Sequence, residues 1–270
     1  MKERRLLNLI VATSILCGAC STTHIFRGED TPVSLEESAL NNLLRPDNDE
    51  TTRAVANVTI RQEIGTDFSR RVAFAVQYPS RMRVDALPTF GIPDFFMSFR
   101  DGTFKVFVPS KQTLYTGAAT TDKMYSFFGL DLSPEEIVAF LRGTPPVPAG
   151  GKNDLLVNAF INPQGEYQLD FTSPRGLPVQ SIILNEQHKI KETKVFDKKG
   201  ALRYRALFSE YATIKNGVTK RPLHITVHIE DPLNRTTLEL RLSDLSVTRG
   251  DSSSLFDIPH TWGVKTIYMD

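Results

Sequence analysis

Past Arg53 the chain is written in short segments whose polarity alternates residue by residue. Ile225, Val227 and Ile229 fall on one side of an extended backbone, with His224, Thr226, His228 and Glu230 on the other. Leu238, Leu240 and Leu242 oppose Thr237, Glu239 and Arg241 in the same way. Val72, Phe74 and Val76 form an earlier row, and Phe95, Met97 and Phe99 another. A period of two marks strands with one buried face. Turn chemistry separates the segments at Tyr78-Pro79-Ser80-Arg81, Arg100-Asp101-Gly102, Asn162-Pro163-Gln164-Gly165, Asp197-Lys198-Lys199-Gly200, Asn216-Gly217 and Asp231-Pro232-Leu233-Asn234. The pattern predicts a mainly β fold built on a meandering antiparallel sheet with one apolar face.

Three stretches read differently. Asp122 to Phe128 predicts a short helix ended by Gly129. Ser133 as N-cap, Pro134 at the first helical position and Glu136 as the reciprocal capping partner predict a second helix, Glu135 to Arg142, stopping at Gly143. Its inner face would carry Ile137, Phe140 and Leu141. The run Thr144-Pro145-Pro146-Val147-Pro148-Ala149-Gly150-Gly151 then reads as a stiff, exposed linker between two strand-rich halves of a single domain. Nearer the start, Ser34 to Arg45 predicts an amphipathic helix with Leu35, Ala39, Leu43 and Leu44 on one stripe, ended by Pro46.

The first twenty residues follow another grammar. Lys2, Arg4 and Arg5 precede the apolar run Leu6 to Leu16, and Gly18-Ala19 then lead to Cys20. A membrane-spanning helix needs about 20 apolar residues, so this shorter run is expected to be a signal peptide. The sharper expectation is a lipobox, Cys17-Gly18-Ala19 ahead of an acylated Cys20; the plainer one is an ordinary secretory signal cut near Ala19. Cleavage discards Cys17 and acylation consumes Cys20, so the C-x-x-C spelling carries no redox chemistry. Several acyl chains on one cysteine hold a domain stably at a membrane, where a single chain holds it marginally. The expected organisation is therefore residues 1–19 as signal peptide, 20–52 as lipidated tether and helix, and 53–270 as one domain.

Charge narrows the possible partners. Three of the 32 basic and one of the 31 acidic residues precede Cys20, leaving 29 against 30. Such a balance argues against a nucleic-acid partner or a polybasic membrane-surface module. No G-x-S-x-G or H-E-x-x-H pattern is present, and neither a cofactor nor catalysis is expected. Gly150-Gly151-Lys152 imitates a phosphate loop, but Pro146 stands where its first glycine belongs and Asn153 replaces the hydroxyl. His224 and His228, four strand residues apart, lie about 13 Å from one another, too far to share a metal. What remains is apolar surface. Phe is abundant, at 17 residues against one Trp, and Met82, Met97 and Met124 add adaptable contacts suited to variable apolar ligands. Composition leaves a filled core and an open cavity as equal alternatives. The loop Leu87-Pro88-Thr89-Phe90-Gly91-Ile92-Pro93 belongs at a tip, where Phe90 and Ile92 are exposed unless they fold back or meet a membrane or partner.

Five stretches, in order, resemble the LolA/LolB lipoprotein-localisation family, and especially its LolB-like outer-membrane members. They are Tyr78-Pro79-Ser80-Arg81-Met82-Arg83-Val84; Pro88-Thr89-Phe90-Gly91; Phe99-Arg100-Asp101-Gly102 with Phe107-Val108-Pro109; Leu132 to Gly143; and Leu255-Phe256-Asp257-Ile258-Pro259, similar to the family's closing Phe-x-x-Pro strand. The resemblance implies an incomplete antiparallel β-barrel around a hydrophobic cavity, with helices as a lid. It makes Val72, Phe74, Val76, Phe95, Met97 and Phe99 cavity-wall candidates, Ile137, Phe140 and Leu141 lid candidates, and Phe90 the membrane-inserting residue. Tyr78 stands where the family's carriers commonly have a basic residue, so no lid-locking arginine is carried over. Ser21 after Cys20 implies an outer-membrane destination, on the periplasmic face. The implied function is an outer-membrane lipoprotein that takes acyl chains of lipoproteins, or other lipids, from a periplasmic LolA-like carrier and helps insert them. A lipid or protein sensor, or an assembly module, is the alternative on the same fold.

Overall fold

The computed structural model describes residues 31–33, 48–148, 155–214, 220–231, 234–250, 253–258 and 263–269; the leader, Cys20 and the helix expected at 34–45 lie outside them. The first half of the chain contributes β1 (Thr31–Pro32), β2 (Glu50–Gln62), β3 (Phe68–Gln77), β4 (Arg81–Ala86), β5 (Phe96–Arg100), β6 (Thr103–Val108) and β7 (Thr113–Ala118). The second contributes β8 (Leu156–Ile161), β9 (Tyr167–Thr172), β10 (Pro178–Leu184), β11 (Ile190–Phe196), β12 (Leu202–Thr213), β13 (Lys220–Ile229), β14 (Thr236–Arg249) and β15 (Lys265–Met269). All fifteen join one open sheet in the order β1-β8-β9-β10-β11-β12-β13-β14-β2-β3-β4-β5-β6-β7-β15. The two meanders meet where β14 pairs with β2, and every pairing is antiparallel except β7 with β15.

Alternation dictates which face turns inward. Val72, Phe74 and Val76 stand opposite Ala86, Val84 and Met82, and Val84 and Met82 stand opposite Met97 and Phe99. Across the seam Leu238 meets Ile60, and Leu240 meets Val58. These rows form one continuous apolar layer on the concave side, the strip the sequence pattern predicts. Three hairpins close with the same local device. Asn162 Oδ1, Asn185 Oδ1 and Asp197 Oδ1 each accept backbone N–H bonds from residues two and four positions ahead, at 2.8–3.0 Å. Short polar side chains that mimic a backbone turn make these positions hairpins.

The order of strands places β7 and β8 near opposite margins, so the chain between them has to cross the open concave side. That crossing holds the two α-helices found among the described residues, α1 (Thr121–Phe128) and α2 (Pro134–Arg142). The α2 capping box forms as expected: Ser133 Oγ accepts from Glu136 N (3.2 Å), and Ser133 N donates to Glu136 Oε2 (2.8 Å). Glu136 also reaches the second meander, accepting from Arg203 Nη1 and from the Tyr204 hydroxyl, each at 2.9 Å. At the other end, Arg142 is buried 3.6 Å from Glu50 on β2. The helix is thus pinned to the second meander at its start and to the seam at its finish.

Two expectations are corrected. Thr144 to Pro148 is no exposed linker: only Val147 among these residues is exposed. Thr144 Oγ1 donates back to Ala139 O, and Gln180 Nε2 donates to Pro146 O (3.0 Å), drawing the segment onto the sheet as a strap. Nor is Leu255 to Ile258 a strand. Ser253–Phe256 forms a 3-10 turn that buries Phe256, with the Ser98 hydroxyl donating to its carbonyl and Arg83 Nη1 donating to Asp257 O. The strand nearest the end is β15, which lies beside β7.

Gly143 closes α2 in the left-handed region (φ +68°), where a Cβ would stand 2.7 Å from the Pro222 ring. Gly165 has a similar angle (φ +75°) with open space around it. Gly165→Ala is expected to cost about 1–2 kcal/mol of conformational strain alone. Gly143→Ala should cost roughly 1–3 kcal/mol more, because the helix must move off Pro222. Paired urea unfolding curves check the difference.

Candidate functional site

The inner face of α2 does not press flat against the sheet. A hollow of about 70 Å³ remains between them. Val58 and Ile60 from β2, Phe68 and Val72 from β3, Met82 and Val84 from β4, and Leu238 and Leu240 from β14 supply the sheet side. Phe95 and Met97 close one flank. Met124, Phe128, Leu130, Ile137, Phe140 and Leu141 close it from the helical side. Every lining residue is apolar, so the hollow offers an occupant dispersion contacts and freedom from water but no directional bond.

Six of the nine residues expected on cavity wall and lid meet here: Val72, Phe95, Met97, Ile137, Phe140 and Leu141. Phe74, Val76 and Phe99 face the same way but lie outside the lining, buried in the solid part of the layer. There Phe99 stacks on Phe104 with centroids 5.0 Å apart. Leu238 and Leu240 were visible as an alternating row without being assigned to the site. Phe68 and Phe128 gave no sign, since one sits at a strand start and the other ends a helix.

Those two residues matter for access. Phe68, Phe95 and Phe128 form a triangle with centroids 6.3–6.4 Å apart. All three rings wall the inner hollow and also an open groove of about 660 Å³ at the rim, whose other sides include Gln62, Asp67, Tyr125, Phe127 and Asn234. The rings therefore stand between the small apolar hollow and the larger, more polar groove. Gln62 Nε2 donates to the Phe128 carbonyl (3.5 Å), fixing the backbone that carries one of them.

The same rim displays apolar side chains to solvent. Phe90 is 91% exposed and Ile92 72%, on the loop between β4 and β5; Ile64, in the turn between β2 and β3, is 69% exposed. An ion pair from Arg70 to Asp94 (2.9 Å) and a bond from Leu87 N to Arg71 O (2.8 Å) hold that loop against β3. Away from the rim, the histidines of β13 make local contacts: His224 Nε2 is 3.1 Å from Glu239, and His228 Nδ1 is 3.3 Å from Thr237.

No protein-family model and no curated protein matches this sequence. Among solved structures the chain is similar to a LolA superfamily protein from Nitrosomonas europaea, at 13% identity and a TM-score of 0.53, over 84% of this chain and 99% of that one. It is similar to a DUF1329 family protein from Desulfovibrio piger, at 16% identity and a TM-score of 0.54, over 84% and 98%. It is likewise similar to a domain described as an outer membrane lipoprotein-sorting protein from Vibrio parahaemolyticus, at 12% identity and a TM-score of 0.54, over 82% and 94%. The likeness is one of fold: an open antiparallel half-barrel with a helical lid.

Removing one ring of the partition should join the two chambers. Phe128→Ala is expected to raise binding of an apolar fluorescent probe such as N-phenyl-1-naphthylamine several-fold. It should lower stability by about 2–3 kcal/mol, less than for a fully enclosed phenylalanine. Probe titration beside urea unfolding measures both.

Proposed function

We propose that this chain is a lipid-anchored envelope protein that receives acyl chains of lipoproteins, or of other lipids, and helps insert them into the outer membrane, without catalysing a reaction. The observation that carries the reading is the wholly apolar hollow between a curved sheet and its lid helix. An acyl chain gains about 0.8 kcal/mol per methylene on leaving water, and such a lining rewards that transfer without restricting the chain's chemistry. Release then requires only a more apolar sink, and an anchor at Cys20 keeps one within reach.

Volume sets the mechanism. At about 70 Å³ the hollow takes only a few methylene-sized groups. Cargo therefore enters by displacing Phe68, Phe95 and Phe128, which merges the hollow with the rim groove into a path for a full tail. The exposed Phe90 and Ile92 beside that mouth are suited to dip into a bilayer while the tail leaves. The domain folds resembling this one include a LolA superfamily protein and a lipoprotein-sorting domain, and their names agree with such cargo.

A sensor or assembly module is the second reading, and the small volume favours it: a hollow of about 70 Å³ takes only part of a tail, enough to register lipid without carrying it. A stable protein partner in pull-downs without net lipid movement distinguishes it from a carrier.

Incubating a soluble version lacking Cys20 with a periplasmic LolA-like carrier loaded with acylated lipoprotein tests the proposal. Cargo should move to this chain and co-purify with it; failure to accept any cargo sinks the carrier reading. Phe90→Glu in the anchored protein should reduce delivery to liposomes at least five-fold while leaving cargo acceptance unchanged. Equal delivery would remove the loop from the mechanism.

A further inference from the structure

The turn between β11 and β12, residues 197–200, takes no part in the apolar hollow. Because neighbouring strands run in opposite directions, it opens onto the same end of the sheet as the loop of Phe90 and the turn of Ile64. The turn between β9 and β10, residues 173–177, opens there too, and the two turns touch. A Cβ on Gly200 would meet the Pro178 ring at 3.3 Å and Leu177 Cδ2 at 3.8 Å. Both are firmly built. Asp197 Oδ1 accepts from Lys199 N and Ala201 N, each at 2.8 Å, and Ser173 Oγ accepts from Leu177 N at 3.2 Å. The one acid of the pair is thus engaged within its own loop. Arg175, Lys198 and Lys199 are exposed and make no ion pair among the described residues. Leu177, at the contact between the turns, is 39% exposed, and Leu156, where β8 begins on the same rim, is 59% exposed.

The opposite rim differs. Its turns 78–80, 101–102, 162–166 and 185–189 show no exposed large apolar side chain among the described residues. Exposed apolar groups gather at one end of the strands, from Ile64, Phe90 and Ile92 in the first meander to Leu156 and Leu177 in the second. Charge is divided less evenly along that rim. Beside Phe90, Arg70 is matched by Asp94 (2.9 Å), whereas the two second-meander turns hold three cations against one carboxylate. The near-neutral balance of the whole chain conceals this local excess. Apolar side chains beside unneutralised cations suit the interfacial layer of an anionic bilayer, where each Lys or Arg raises partitioning roughly five-fold. We propose that the 173–177 and 197–200 turns form a second membrane contact, with Arg175, Lys198 and Lys199 on anionic phospholipid headgroups and Leu177 beneath them at the acyl boundary. With Phe90 and Ile92 in the other meander, it holds the rim at two points and keeps the rim groove facing the bilayer. That purpose rests on the membrane reading above, but vesicle binding does not depend on cargo, so either can fail alone.

The test uses the whole chain after the leader, residues 20–270, carrying Cys20→Ser, which has neither an acyl anchor nor a thiol. In vesicle sedimentation, phosphatidylcholine with an equal part of phosphatidylglycerol should bind it roughly ten-fold or more tightly than phosphatidylcholine alone. Added salt should erase the difference. The triple variant Arg175→Gln, Lys198→Gln, Lys199→Gln should lose that preference while unfolding normally in urea. Removing the same charge elsewhere, through Lys105→Gln, Lys189→Gln and Lys220→Gln, should leave most of it. Leu177→Cys and Phe90→Cys, each labelled with an environment-sensitive dye, should both brighten on the mixed vesicles. Acceptance of acyl cargo from a loaded carrier should be unchanged in the first triple variant, which separates failure here from failure of the transfer reading. Equal binding to both vesicle types, equal loss of preference in the control triple, or a dye at position 177 that stays dim while one at 90 brightens overturns the proposal.

Discussion

A sheet that never closes leaves its concave side open, and one segment of chain is obliged to cross it. In this fold β7 and β8 stand near opposite margins, so the helices between them are drawn across the opening. The Glu136 carboxylate decides where that crossing settles. It completes the cap of α2 and simultaneously ties the helix to Arg203 and Tyr204 on the far meander. Burial, and then the neighbouring Glu136, push the Tyr204 phenol well above its ordinary range, so it remains a donor throughout neutral pH. With its start held on the second meander and its end beside Glu50, α2 divides the interior into two compartments of unlike polarity. The apolar hollow, the aromatic partition and a cavity of about 310 Å³ between α2, the Thr144–Pro148 strap and β10 to β12 are consequences of that division.

Much of this was legible in the residues. Alternation identified the inward rows of β3, β5, β13 and β14, and the Ser133 to Gly143 punctuation located α2 to within one residue. Period-two patterning fixes the side on which a residue lies but not the strand beside it. Hence the pairing of β14 with β2, which brings Leu238 and Leu240 to the hollow, had no local signature. Phe68 and Phe128 sit at element ends, where periodicity has no neighbours to count. The strap was misjudged because proline-rich runs are usually solvated, and what buries this one is a hydrogen bond from Gln180, 34 residues away. Phe256 was read as part of a strand only through the resemblance of Leu255 to Pro259 to the family's closing Phe-x-x-Pro motif, whereas it is buried within a 3-10 turn.

The hollow is small, about 70 Å³. A lining of Phe, Leu, Ile and Met can close on itself when empty, because methionine and phenylalanine side chains fill irregular gaps and every void forfeits dispersion contacts. Voids are therefore costly, and a small hollow is the physical default for a site made wholly of hydrocarbon.

The sheet margins carry a quieter lesson. An open half-barrel ends in two strands with unpaired N–H and C=O groups, which invite a neighbour's strand. Here one margin is β1, two residues long with Pro32 unable to donate, and the other is β15, short and beginning with Lys265. Gly117 lets β15 approach, for any Cβ there would meet the Met269 carbonyl at 2.5 Å. Brief, proline-marked or charged borders are poor templates for growth. Among the described residues, both borders of the unclosed barrel are therefore unfavourable for growth along its own edges.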